Sequence, residues 1–154
     1  MKQEVAAYRA RLGIGQAGVS VTGGDEAYQV KFVSCTASKK TQTATLTFLL
    51  ENTGPVTLAF ILNSQTFRTG TRTRAFDEQG NAYESGKTLI GTDANRTTIS
   101  ANVPIKCTAE LLLVSSTTTS LKQVEVAMSK SQADGGGQKE ITTIFRNLPI
   151  TWKP

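Results

Sequence analysis

The chain alternates apolar and polar residues over most of its length. The clearest case is Thr43–Asn52, where Ala44, Leu46, Phe48 and Leu50 fall on one face of an extended segment. A period of two is typical of a β-strand with one buried face. The sequence therefore predicts strands, and not helices, as the main elements from residue 28 onward.

Turn signals separate about nine such segments at intervals of about 8–15 residues. The predicted strands cover residues 28–37, 43–52, 56–63, 66–77, 82–85 continuing as 88–91, 97–103, 105–115, 121–129 and 140–152. Between two of them, residues 78–81 form a four-residue hairpin loop, with Gly80 where a positive φ is needed. This pattern predicts an all-β protein, an immunoglobulin-like antiparallel β-sandwich of about seven to nine strands.

The N-terminal residues follow a different period. Val5, Tyr8 and Leu12 form one apolar stripe at helical spacing, so residues 1–12 are predicted to contain a short helix. This helix is interpreted either as a terminal helix packed on the domain or as part of a longer coiled coil. The Gly-, Ser- and Thr-rich residues 13–27 are predicted to be a flexible linker, and 28–154 the sandwich domain.

Composition fits one ordinary globular domain. The 154 residues are 38% hydrophobic and 19% charged, and they include 23 threonines, which favour strands. The net charge is +5, but the basic residues are spread along the chain and aromatic residues make up 6%. Nucleic-acid binding is therefore not expected. No apolar stretch approaches the ~20 residues of a membrane span.

Catalytic chemistry has little support in the sequence. There is no histidine, which excludes His-based acid–base catalysis, Ser-His and Cys-His nucleophile pairs, and most zinc sites. We predict no enzymatic activity, no cofactor and no metal site. The alternative is a carboxylate-pair hydrolase using residues such as Asp77 and Glu84, which lie on a predicted hairpin.

One predicted strand carries a row of arginines. Arg68, Arg72 and Arg74 share its even-numbered face, with Gly70 between them. We interpret the row either as a solvated sheet face or edge, where charge discourages aggregation, or as a face for an anionic partner. It is the candidate binding face of the sequence.

Two cysteines, Cys35 and Cys107, lie on predicted strands among apolar neighbours. They are interpreted either as two buried free thiols or as an intersheet disulfide. A disulfide would close a long loop and indicate an exported protein.

Several stretches, taken in order, resemble uncharacterised exported proteins of Bacteroidetes that carry a telokin-like, immunoglobulin-type β-sandwich. The resemblance spans roughly residues 29–153 and rests on residues 33–35, 45–52, 75–83, 103–107 and 145–152. It implies a sandwich fold, a periplasmic or cell-surface location and a helical segment before the sandwich. It supplies no substrate and no catalytic residues. No export signal is visible at the start of the sequence.

These observations lead to two hypotheses of function. The first is a non-catalytic binding or structural module of an exported or cell-envelope protein, with a protein or glycan partner and a homo-oligomer formed through the N-terminal helix. The second is a decoration or fibre-attachment domain of a phage virion, which fold alone does not separate from the first.

Overall fold

A computed structural model describes residues 19–22, 28–63, 73–91, 96–132, 137 and 139–154. These residues form strands joined by turns, and none of them belongs to a helix long and apolar enough to cross a membrane. The strands are β1 (Ser20–Thr22), β2 (Tyr28–Ser38), β3 (Thr43–Asn52), β4 (Leu58–Asn63), β5 (Arg74–Asp77), β6 (Ala82–Ile90), β7 (Arg96–Ile99), β8 (Pro104–Leu111), β9 (Ser120–Gln132), β10 (Lys139–Pro149) and β11 (Thr151–Lys153).

The strands form two sheets. Sheet B has the order β11-β2-β3-β8-β6. Sheet A begins β1-β10-β9, and the long strand β9 then pairs with β4 along one half and with β5 along the other. β7 lies outside β4, and β6 lies outside β5. β11 runs parallel to β2, and the other pairs among the described strands are antiparallel.

The chain passes from one sheet to the other at two places, within β6 and between β10 and β11. β6 pairs with β5 through Ala82–Glu84 and with β8 from Ser85 onward, and a register shift follows Ser85. On the opposite side, β10 ends at Pro149 and β11 begins at Thr151, with Ile150 as the corner between the sheets. Bends and bulges of this kind are how strands turn the corners of a sandwich.

The core lies between the sheets and is built from the inward residue of each alternating pair. Phe48 of sheet B and Phe145 of sheet A are both fully buried, with ring centroids 5.4 Å apart. Ala44, Leu46 and Leu50 are also fully buried, so the alternation in β3 places its apolar face as the sequence predicts. Burial of each large side chain contributes about 1.5–3 kcal/mol.

The end of β3 is fixed by a buried amide. Asn52 is fully buried, and its Nδ2 donates to the carbonyls of Val56 at 2.6 Å and Ile99 at 2.8 Å. Its Oδ1 accepts the amide of Gly54 at 3.0 Å. One side chain thus holds the β3–β4 loop against β7, and its amide group has a partner on both its oxygen and its nitrogen.

The prediction of an all-β, predominantly antiparallel protein is confirmed, but the described residues contain eleven strands and not seven to nine. The linker prediction for 13–27 is wrong at Ser20–Thr22, which forms β1 and adds to the free edge of β10. The predicted strand 140–152 is divided at Ile150, and 82–85 with 88–91 is one strand, β6. The predicted N-terminal helix at 1–12 lies outside the described residues.

Candidate functional site

The β5–β6 hairpin closes one end of the sandwich and positions Asp77. The loop has the predicted four residues, and Gly80 has a φ of +87°, a conformation that glycine adopts without steric cost. The amide of Asp77 donates to the carbonyl of Asn81 at 3.0 Å, which closes the hairpin. The Asp77 carboxylate therefore turns back into its own loop.

Both carboxylate oxygens of Asp77 are occupied. Oδ1 accepts the backbone amides of Gln79 and Asn81, each at 2.9 Å. Oδ2 accepts the Asn81 side-chain amide at 2.9 Å and the Tyr83 hydroxyl at 2.7 Å. Four donors match the roughly four lone-pair positions of a carboxylate, so Asp77 has no free position with which to act as a general base.

The same hydrogen bonds set the ionisation of Asp77. Burial raises its pKa, but the bonds from the Tyr83 hydroxyl and from the Asn81 and Gln79 donors outweigh burial and lower the pKa to about 2. The group is ionised at all ordinary pH values. It acts as a fixed negative charge that holds the hairpin.

Tyr83 connects this hairpin to the loop between β8 and β9. Its hydroxyl lies 3.3 Å from Thr118 Oγ1, and the Thr118 carbonyl accepts Trp152 Nε1 at 2.6 Å. Burial raises the pKa of Tyr83, and its bond to the Asp77 carboxylate raises it further. The chain Asp77–Tyr83–Thr118–Trp152 thus ties together three segments distant in sequence.

Between the hairpin and the β8–β9 loop lies an open groove of about 340 Å³. All seven of its lining residues are polar: Asp77, Glu78, Gln79, Thr117, Thr118, Thr119 and Ser120. Ser120 Oγ donates to Glu78 Oε1 at 3.2 Å across the groove. With Asp77 saturated, the groups presented to a ligand are the Glu78 carboxylate, the Gln79 amide and the hydroxyls of the loop.

The arginine row predicted as a binding face is described only in part. Arg68 and Arg72 lie outside the described residues. Arg74 Nε donates to Glu125 Oε2 at 2.7 Å, and its guanidinium lies over the Phe76 ring at 5.2 Å from the centroid. Arg74 is therefore held by a carboxylate and a ring on its own sheet, and its charge is largely compensated.

The carboxylates considered for hydrolysis are not arranged as a pair. Asp77 is buried in its hairpin, whereas Glu84 is exposed on β6, in register with Arg74. Among the described residues no group of three or more His, Cys, Asp or Glu side chains could hold a metal ion.

Cys35 and Cys107 are both free and buried. They lie on β2 and β8, which flank β3 in the same sheet, in register with Leu46 and Phe48 respectively. Two strand spacings separate their Cα atoms by at least about 9 Å, which exceeds the ~7 Å that a disulfide can span. Burial raises the pKa of each thiol to about 12. The structure thus has the free-thiol arrangement, and a disulfide would require the backbone to move.

Sequence reasoning missed most of this site. Residues 116–120 fall between the predicted strands 105–115 and 121–129, and nothing in a run of Ser and Thr indicates that it faces a hairpin some forty residues earlier. Tyr83 and Trp152 carried no signal either, because their polar atoms act through contacts with Thr118 that only the fold creates.

No family model and no curated protein matches the chain. Among solved structures, it is similar to the ASH/PapD-like domain of human CEP192 (PapD-like domain 7), with 11% identity, coverage of 86% of this chain and 89% of that chain, and a TM-score of 0.48. It is also similar to the envelope protein VP37 of White Spot Syndrome Virus, with 16% identity, coverage of 79% and 75%, and a TM-score of 0.37.

A third solved structure, AvmM, which catalyses macrocyclization in alchivemycin A biosynthesis, has 9% identity, coverage of 93% and 91%, and a TM-score of 0.25. All three TM-scores are below 0.5.

Proposed function

We propose that the chain is a non-catalytic binding module, an immunoglobulin-type sandwich that presents the groove beside the β5–β6 hairpin to a hydrophilic partner at the cell envelope. The main support for this proposal is that every hydrogen-bond acceptor position of the Asp77 carboxylate is already used within the protein. This carboxylate accepts four hydrogen bonds and stays ionised, so it supports the groove and does not transfer protons.

The composition of the groove supports a polar ligand. Pockets for small apolar ligands are lined mainly by hydrophobic and aromatic side chains, whereas every lining residue here is polar. Hydroxyl, amide and carboxylate groups match the hydroxyls of a glycan or the backbone of a protein loop. The envelope location is supported by the resemblance to exported sandwich proteins.

An NMR titration of the isotope-labelled protein with neutral oligosaccharides from the envelope of the native host tests this role. We expect shifts of the amides of Gln79, Thr117 and Thr119 without formation of any product. The double variant Glu78→Gln/Ser120→Ala should lose these shifts. The matched control Glu140→Gln/Ser131→Ala, at the far ends of β10 and β9, should keep them.

Two results would contradict the proposal. One is turnover of any glycoside or ester that Asp77→Asn or Glu84→Gln abolishes, because it would make the chain an enzyme. The other is the absence of groove shifts together with recovery of the protein outside the envelope fraction of native cells. Recovery in purified phage particles would instead favour the virion role.

A further inference from the structure

The outer face of sheet B carries a cluster of Ser and Thr hydroxyl groups. We call it the hydroxyl face and define it by Ser34, Thr36, Thr43, Thr45, Thr47 and Thr108. The registers bring these residues side by side: Thr36 is opposite Thr45, and Thr47 lies between Ser34 and Thr108. All six are partly exposed, and the inward residues that follow them along the strands are buried: Cys35, Ala37, Ala44, Leu46, Phe48 and Ala109.

Strand propensity alone does not explain this distribution. Thr favours strands in general, so propensity would enrich both outer faces equally. The outer face of sheet A carries charged and apolar side chains at its centre, including Arg74, Phe76, Glu125 and Ile144. Exposed hydroxyls also occur on sheet A, at Ser20, Thr22, Thr98 and Thr142, but none of these is in register with another hydroxyl. Among the described strands, the hydroxyls that lie in register across neighbouring strands are on the outer face of sheet B.

Lysines lie at both ends of the hydroxyl face. Lys31 and Lys106 are exposed on β2 and β8, and both are in register with Leu49, so they stand on either side of β3 about 10 Å apart. At the opposite end, Lys153 is in register with Ser38, and the Lys39 amide donates to the Lys153 carbonyl at 3.1 Å. Lys39, Lys40 and Lys153 are all exposed.

The charge on this surface has one predominant sign. Among the described residues, five lysines border it, and the carboxylates on it are Glu51 and Glu110, both partly buried. Arg74, on the other sheet, is compensated by Glu125. A ligand that neutralises the lysines and exchanges hydrogen bonds with the hydroxyls would match the surface.

We propose that the hydroxyl face and its bordering lysines bind an extended acidic polysaccharide, with carboxylates on the lysines and sugar hydroxyls on the serines and threonines. This rests on the proposed binding role but uses a surface separate from the groove. A single-stranded nucleic acid fits less well because such ligands are held by base stacking on aromatic side chains. The aromatic residues of β2 and β3, Tyr28, Phe32 and Phe48, are all buried.

Affinity electrophoresis of the full chain tests the proposal, with polygalacturonate as the acidic probe, dextran as the neutral probe and poly(dT) as the nucleic acid. We expect retardation by polygalacturonate, weakening as salt rises, and none by dextran. Lys31→Gln/Lys106→Gln should weaken polygalacturonate binding about fivefold and reduce its salt dependence. Thr45→Val/Thr47→Val should weaken it about tenfold with the salt dependence unchanged.

Matched variants on other surfaces distinguish specific binding by the hydroxyl face from nonspecific binding by a basic protein. Lys122→Gln/Lys139→Gln removes two exposed lysines from sheet A, and Thr98→Val/Thr142→Val removes two exposed threonines from it. Both should bind polygalacturonate like the unaltered chain. Equal loss in a face variant and its control, tighter binding of poly(dT), or no binding of polygalacturonate would each overturn the proposal. Because binding at the groove is tested separately with neutral oligosaccharides, none of these outcomes would contradict the proposed binding role of the groove.

Discussion

The hydroxyl of Tyr83 donates a 2.7 Å hydrogen bond to Oδ2 of Asp77, six residues earlier in the chain. The bond crosses the base of the hairpin and links it through Thr118 to the loop that forms the other wall of the groove. A hydrogen bond to an ionised group in a buried setting contributes about 1.5–3 kcal/mol. Tyr83 thus connects the two walls of the groove.

Removing the Tyr83 hydroxyl should destabilise the protein and change its acid sensitivity. Tyr83→Phe leaves Asp77 Oδ2 with Asn81 as its remaining donor, and we expect a loss of about 2 kcal/mol at pH 7. Because the pKa of Asp77 is lowered to about 2 in the folded state, its contribution is present above pH 4 and is lost as the pH falls toward 2. Denaturant unfolding between pH 2 and 7 measures both effects.

Asp77→Asn tests whether Asp77 is the group responsible for the loss of stability at low pH. It should flatten the dependence of stability on pH between 4 and 2, because the titrating group is gone. If the variant keeps the pH dependence of the unaltered chain, another carboxylate is responsible.

Two buried threonines should respond in opposite ways to the same substitution. Thr143 is fully buried, and its Oγ1 has no hydrogen-bond partner among the described residues, whereas Thr73 Oγ1 accepts the Ala127 amide at 3.1 Å. Thr143→Val removes an unsatisfied hydroxyl and should stabilise the protein by about 1 kcal/mol. Thr73→Val leaves the Ala127 amide unpaired and should destabilise it by about 1–3 kcal/mol. Urea unfolding of both variants checks the contrast, and a loss of stability in Thr143→Val would contradict it.

The cysteines should be unreactive in the folded protein. Burial and a pKa near 12 keep both thiols protonated, so a thiol reagent at pH 8 should modify them only in urea. Their raised pKa also predicts that stability holds below pH 9 and falls as the pH rises toward 12. Intact mass after alkylation in urea should show two modified thiols, and a mass showing a Cys35–Cys107 disulfide would contradict the arrangement of β2, β3 and β8.

Leu113 offers a stabilising substitution. It is 78% exposed and has a φ of +56°, a left-handed conformation that costs an ordinary residue about 1–2 kcal/mol. Asn tolerates this region because its side chain bonds locally. Leu113→Asn should raise the melting temperature. Thr117→Asn is the matched control, because Thr117 is exposed in the same loop and does not have a positive φ. No gain from Leu113→Asn would show that Leu113 contributes contacts that offset its strain.

The alternation of Ala44, Leu46, Phe48 and Leu50 was sufficient to predict a buried strand face, and Gly80 was sufficient to predict the hairpin, because both signals are local. The groove was not predictable, since it depends on Thr118 meeting Tyr83 from 35 residues away. The hydroxyl face is an intermediate case. Each threonine of β3 is visible in the alternation, but its neighbours depend on β2 and β8 flanking β3.

The two places where the chain crosses between the sheets affect how the sandwich unfolds. Because β6 is hydrogen-bonded into both sheets and β10 passes into β11 through Ile150 alone, a ladder of hydrogen bonds runs from β1 to β11 through every layer. We therefore expect the two sheets to open together. Amide exchange in the central strands of the two sheets should therefore report the same opening free energy, that of a single cooperative unit.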